Sequence, residues 1–471
     1  MFAFVSMQSH IVIIGFGSIG QGVVPLLKRQ FPDRQILAFD RHIDENQRAI
    51  ARKTGIALRQ QAFSKHTYRD VLTPCVRGGD ILLNLATDVS SMDLIVFAQS
   101  VGAIYLDTNI EPWEAEQPVD RPISNHLLRE RILTLQRRTP GASTAIVAHG
   151  ANPGFVSVLV KRALLQMASR NGIVHSFDPH SVSRADWAGL AANLGICTIQ
   201  ISENDTQRAA APFPSEMFVN TWSVSGFITE CRQAAEIGYG THEGPVPDGA
   251  RQNGADKASV TLKSVGAETW VDSWSPRKGP FAAMVLTHNE SLSIADYLTL
   301  FCAKGSAMPR YRPTVYYAYR PSDATLRSLA MLDAAKSPGR EHVMKAEIED
   351  GIDELGILLI SKTLPSYWLG SGLSIADARR RAPYNNATSL QVTSSIVAAL
   401  RWAMHHPNAG IVESDALPHD SVYDMTAPYW EPIYGATTNW PHRDEVGGMR
   451  RLTFSALQRS ACIADDAVIA G

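Results

Sequence analysis

The sequence lacks the features that would place it in several large functional classes. Its 44 Lys and Arg nearly balance 46 Asp and Glu, leaving a net charge of −2. That gives no basic field for nucleic acid or for an anionic membrane surface. Cysteine is scarce: Cys75, Cys197, Cys231, Cys302 and Cys462 are scattered, odd in number and never in CxxC spacing. A disulfide framework and a zinc ribbon are disfavoured, and a reduced, cytoplasmic setting fits best. No apolar run reaches the roughly 18 residues of a membrane-spanning helix. Met1–Ser9 lacks the basic start and apolar core of a signal peptide and reads as a loose extension before the first strand. None of the fourteen histidines shows metal-ligand spacing. There is no GxSxG elbow, no compelling Cys/His pair and no internal repeat. What remains is 45% apolar and 19% charged, an ordinary globular composition in a chain long enough for two or three domains.

The strongest positive signal stands near the start, in "HIVIIGFGSIG". His10 to Ile14 is a β-branched run suited to a strand buried on both faces of a parallel sheet. Gly15, Gly17 and Gly20 follow in GxGxxG spacing. The first permits a tight turn, the second a close approach of backbone to a pyrophosphate, the third close helix–strand packing. Ser18 and Ile19 open a helix, read as Ile19 to Arg29, whose free N–H groups point at phosphate; Pro25 is expected to kink or shorten it. Gln35 to Asp40 reads as a second strand, ending in an acid twenty residues beyond the third glycine. A carboxylate there accepts hydrogen bonds from a ribose 2′-OH and repels a 2′-phosphate, which favours NAD over NADP. Asp80 to Ala86 reads as a further strand, and Thr87 just beyond it falls beside the cofactor.

Strand and helix patterns alternate to about residue 150, as a doubly wound domain requires. "AHGANPG" then breaks the chain sharply. The expected fold is therefore α/β: a Rossmann-type doubly wound parallel sheet with a second, α+β domain. The dinucleotide-binding domain is read as 1–150, completed by a helix–strand pair at about 385–425. A substrate-binding and dimerisation domain covers 151–384, and 426–471 forms a C-terminal extension without strong periodicity. Within the second region, Tyr239 to Asp256 reads as a surface loop and Pro309 to Tyr319 as one long strand. Thr393 to His405 reads as an amphipathic helix.

In such sheets the substrate sits at the carboxyl ends of the strands. Asp88, Glu111 and Asn152 follow strand candidates, although each also suits a cap or a turn. Glu203 and Asp205 come directly after another apolar strand. Trp222 and Glu230 stand eight residues apart, a spacing that on one helix leaves both on nearly the same face. His288 and Glu290 follow a further strand. An indole beside carboxylates is what an alkylammonium group wants, since cation–π attraction and charge pairing add in a desolvated site.

Together, "VIIGFGSIGQGVVPLL", "LDTNIEPW", "AHGANPGFVS", "ISENDTQ", "FVNTWSVSGFITE", "GTHEG", "RPTVYYAYRP" and "LQVTSSIVAALRWAMHHPNAGIVESDALPH" resemble the bacterial homospermidine synthases, from about residue 10 to about residue 440. That family is related in fold to the saccharopine reductases. The resemblance implies a homodimer with tightly held NAD, recycled as a prosthetic group. It also implies redox-neutral aminobutyl transfer from putrescine or spermidine to putrescine through imines. Matched to the family pattern, Trp222 stabilises the charged imine, Glu203 and Glu230 bind amines, and Glu111 and Asn152 stand beside the nicotinamide. Asp88 and His288 complete the set. Two other readings stay open: a net dehydrogenase of the saccharopine or carboxyspermidine type, and a non-catalytic NAD-binding protein.

Overall fold

The computed structural model describes residues 10–459 other than 117–122, 176, 179–182, 255–257, 303–305, 307, 332–338 and 442–451. The reading of Met1–Ser9 lies outside the described residues, as does part of the C-terminal tail.

Six short apolar runs form the N-terminal parallel sheet: β1 (His10–Ile14), β2 (Gln35–Asp40), β3 (Ala57–Gln60), β4 (Ile81–Asn84), β5 (Ile104–Asp107) and β6 (Ala145–Val147). Their order is β3-β2-β1-β4-β5-β6, and a seventh strand, Ile411–Glu413, pairs parallel with β6. Both faces are buried. Ile11, Ile13 and Leu83 enter one apolar core, and Val12, Ile14 and Leu82 the other. Strand order reverses between β1 and β4, which opens a crevice at their carboxyl ends.

The second sheet is mixed and eleven-stranded. At its centre Ile196–Asp205 pairs parallel with Thr314–Arg320 and antiparallel with Ile352–Ser361. A helix at Ala387–His405 packs against α1 (Ser18–Gln30) and so joins the two sheets.

Several local expectations need correction. Helix α1 runs unbroken through Pro25 to Gln30, because one missing donor does not end a helix whose Val23, Val24, Leu26 and Leu27 are buried. The tyrosine-rich run is two strands. Pro309–Tyr311 pairs with Leu300–Phe301, and after Pro313, which has no N–H to give a ladder, Thr314–Arg320 enters the main sheet. Arg251–Asn253, inside the expected loop, is an edge strand on Ser259–Val265. The late helix starts at Ala387, capped by Asn386, and is buried on most of its surface, so its period understates its length. In the tail, Ile433–Thr438 is a strand of the second sheet, paired with Ser366–Ser374.

Candidate active site

The glycine turn has the form of an anion cradle. Gly15 has φ +94°, and a Cβ there would lie 2.7 Å from the Leu85 carbonyl oxygen. At Gly20 a Cβ would lie 2.3 Å from the Gly15 oxygen. Gly17 differs: its Cβ would meet nothing within 4 Å, so the turn is open on that side. Helix α1 begins there with no side-chain cap and no acid in its first turn. The Ser18 hydroxyl oxygen is buried without a hydrogen-bond partner among the described residues. Free N–H groups and an unused hydroxyl fit a pyrophosphate. Asp40, at the end of β2, accepts the Phe16 N–H at 2.7 Å and the His42 N–H at 3.1 Å, which holds its carboxylate beside the turn.

Beyond Ile19 the crevice widens into a cavity of about 170 Å³. One wall follows from the parallel sheet: Asn84 at the end of β4 and Leu85 to Thr87 after it, Thr108, Asn109 and Glu111 after β5, and Gly150 to Pro153 after β6. The other wall comes from the second sheet through Glu203, Trp222, Glu230, His288 and Tyr317. Strand alternation explains why the chemistry collects here. Along Ile196–Asp205, Ile199 and Ile201 face the core; two and four residues on, the same face carries Glu203 and Asp205. Tyr317 and Tyr319 share that face on the neighbouring strand, in parallel register with Ile201 and Glu203.

The carboxylates are individually anchored. Glu203 Oε2 accepts from Tyr317 Oη at 2.7 Å and from Asn152 Nδ2 at 2.9 Å. Asn109 Nδ2 donates to Glu111 Oε1 at 2.8 Å. His288 lies between two acids, with Nε2 3.1 Å from Glu230 and Nδ1 3.1 Å from Glu290. Trp222 Nε1 donates to Tyr319 Oη at 3.2 Å, while its ring stands edge-to-face with Phe227. Burial dominates the electrostatics. It pushes Glu203 up to about 7 against the bonds from Tyr317 and Asn152, with Asp205 adding to the rise. Glu111 also reaches about 7, through burial first and then repulsion from Asp88 and Glu230, with Asn109 opposing. Burial raises Glu230 as well. His288 loses solvation, which favours the neutral ring, yet Glu230 and Glu290 hold its pKa well above the ordinary histidine value. The pocket thus sets a histidine shifted toward its charged form among acids shifted toward their protonated form, Glu203 and Glu111 to about 7.

Of the residues picked from the sequence, Ile19, Thr87, Glu111, Asn152, Glu203, Trp222, Glu230 and His288 border this one cavity. Gly15, Gly17, Ser18, Gly20 and Asp40 form the turn at its end. Asp88, with φ +66°, lines an adjoining cleft shared with Glu111, Glu114 and Glu230. Trp222 and Glu230 do not share a helix. The helix is Val224–Arg232 with Ser223 as its cap, and Trp222 precedes it. They meet at the cavity because the cap turns the chain, and Gly226 leaves room for the indole: a Cβ there would lie 3.3 Å from Trp222 Cζ3. Sequence reasoning passed over Tyr317 and Thr388. The tyrosine alternation marked a strand but not which hydroxyl would meet an acid, and the helix carrying Thr388 was begun too late.

Residues 11–147 match the family described as saccharopine dehydrogenase NADP binding domain, and residues 150–433 match the saccharopine dehydrogenase C-terminal domain. The chain is 44% identical over 445 residues to a homospermidine synthase of Blastochloris viridis, covering 92% of each. It is 40% identical over 453 residues to one of Mesorhizobium japonicum, covering 93% of this chain and 92% of the relative. Among solved structures, the homospermidine synthase of Legionella pneumophila in complex with NAD superposes with a TM-score of 0.87 at 35% identity, over 96% of this chain and 98% of that one. By identity along nearly its whole length and by fold, the chain belongs to the homospermidine synthase family.

Proposed function

We propose that this chain moves an aminobutyl group from putrescine or spermidine to putrescine, forming homospermidine and releasing ammonia or 1,3-diaminopropane, with NAD kept and recycled in the site. The observation that carries the reading is the meeting of Glu111, Glu203 and Glu230 with Trp222 at the carboxyl ends of the parallel sheet. No lysine or arginine is among the described residues lining the cavity, so it suits a dication better than the carboxylate-bearing substrates of a saccharopine-type dehydrogenase.

When bound, NAD supplies a hydride acceptor that later returns the hydride, so the overall transfer is redox-neutral. Gly17, Ser18 and the first turn of α1 would hold its pyrophosphate. Asp40 would take the adenosine ribose, which favours NAD although the matching family is described by NADP. An amine is oxidised only from its neutral form, so a base must first remove the ammonium proton. Glu203 and Glu111, pushed up to about 7, suit that work at neutral pH. Glu230, held by His288, would bind the second ammonium, and Trp222 would offer its π system to the iminium cation. Asn152 would fix Glu203 beside the nicotinamide, and Asp88 would meet amines in the outer cleft.

A homodimer is part of this reading by family resemblance, and a reduced, cytoplasmic setting is part of it by the scarcity and scatter of cysteine. The strand and helix pattern adds the working division into a cofactor domain of 1–150 completed by 385–425, a substrate domain of 151–384 and an extension of 426–471. No helix among the described residues is long and apolar enough to cross a membrane. The decisive experiment supplies purified protein with putrescine and NAD and measures products. Homospermidine and ammonia should accumulate together without net NADH. NADH rising in step with product would mark a net dehydrogenase, and no product at all a binding protein.

A further inference from the structure

Both backbone polar groups of Phe16, within the glycine turn, are held by side chains. Asp40 Oδ2 accepts its N–H at 2.7 Å. Its carbonyl oxygen accepts from Gln21 Nε2 and from Gln47 Nε2, each at 2.9 Å, and both glutamines are buried. The remaining oxygen of each glutamine shows what holds the holder. Gln47 Oε1 closes a capping box by accepting the Asp44 N–H at 2.7 Å. Gln21 Oε1 accepts from Lys345 Nζ at 2.9 Å, and Lys345 lies 324 residues away, outside the parallel sheet and its helices.

Lys345 is itself firmly placed. It follows the strand Arg340–Val343, and its carbonyl oxygen accepts from Arg379 Nη2 at 2.8 Å. The preceding residue, Met344, donates its N–H to the Asn220 oxygen at 2.8 Å. Asn386 Nδ2 bridges the Met344 oxygen at 3.0 Å and the Thr221 oxygen at 2.6 Å. The segment that carries Lys345 is therefore stitched to the one that ends in Trp222. A primary ammonium on an amide oxygen is a charge-assisted bond, stronger than a neutral one, and half-burial limits competition from water.

We propose that Lys345 is a positioning residue for the cofactor: through Gln21 it clamps the glycine turn from the substrate side of the molecule, so that release of the dinucleotide requires this clamp to open. The inference rests on the NAD reading above and adds a residue distant in sequence that is not among the described residues lining the cavity. It gives retention of the dinucleotide a physical origin, since a turn pinned at two successive peptide units through the N–H and the carbonyl of Phe16 cannot relax away from a pyrophosphate without breaking the chain of bonds.

The test compares the rate of NADH release from wild type, K345M, K345R and Q21L. Bound NADH is chased with excess NAD, release is followed by fluorescence, and the melting temperature of each cofactor-free protein is measured alongside. K345M and Q21L should release NADH about tenfold faster or more, the scale of one charge-assisted hydrogen bond. K345R, which can still donate to Gln21, should stay near wild type. Release from K345M within twofold of wild type overturns the proposal. So does an equal acceleration in K345R that tracks a fall in melting temperature, which marks general loosening. A wild-type protein that binds neither NAD nor NADH overturns the cofactor reading, and this inference with it.

Discussion

Glu203 combines a buried carboxyl group with two neutral donors, Tyr317 and Asn152, and no cation within bonding distance among the described residues. Its folded pKa, about 7, stands above the ordinary glutamate value near 4.3. Between those two values the folded state binds more protons than the unfolded one, so this group's contribution to stability falls as pH rises through the window. Glu203→Gln, which cannot ionise, should escape that penalty. Melting the amine-free proteins at pH 5.5 and pH 8 should show the glutamine variant gaining on wild type at the higher pH. A difference that stays constant across the two would mean that Glu203 is not held protonated. Putrescine should narrow the difference at pH 8, because an ammonium beside Glu203 favours its ionised form.

At the scale of elements, the glycine turn separates space needed by the fold from space left for a ligand. Ala at Gly20 would drive a methyl into the Gly15 carbonyl at 2.3 Å, an overpacking cost of about 1–3 kcal/mol. Ala at Gly17 meets no protein atom within 4 Å. Gly20→Ala should therefore lower both melting temperature and NAD affinity. Gly17→Ala should hold its melting temperature within a few degrees and lose affinity alone, as read by calorimetric titration. Equal melting losses in the two variants would refute this division.

This turn was also the most legible part of the sequence, because its constraint is local: strand, glycines, helix and acid lie within thirty-one residues. The second wall was legible residue by residue but not as an arrangement. Glu203, Trp222, Glu230 and His288 stood out by type, yet Trp222 and Glu230 were joined by a helical spacing that the Ser223 cap interrupts. Tyr317 could not be picked out, since its role depends on a parallel register with a strand over a hundred residues earlier. Long-range register leaves no mark in a local pattern, and neither does the seating of Lys345 against Gln21.

Across the whole molecule, one buried cation bridges the two sheets' surroundings. Arg129, on the helix Asn125–Arg138, gives Nε and Nη2 to Glu413 at 2.7 and 2.8 Å and Nη2 to Asp296 at 2.8 Å. Asp296 also pairs with Arg184. Glu413 ends the seventh strand of the parallel sheet, while Asp296 and Arg184 lie on helices packed beside the second. Arg129→Met leaves two carboxylates poorly compensated, which should cost about 2–5 kcal/mol. The urea midpoint should drop accordingly and added salt should restore little of it, because the arginine is screened from solvent. A loss that disappears in high salt would assign these charges to the surface. The exposed Arg52–Glu45 pair serves as the control, with about 0–1 kcal/mol expected.

The seventh strand, Ile411–Glu413, is made long after β6, the strand it pairs with among the described residues. While the ribosome is still translating the intervening segment, β6 presents an unpaired edge, and Val412 and Leu417 are missing from the apolar core that α1 enters. The parallel sheet that starts first is thus closed only after most of the second sheet's strands have been made. A nascent chain carries that open edge through the synthesis of more than 260 residues between β6 and its partner, and an open edge is where a half-made chain pairs wrongly.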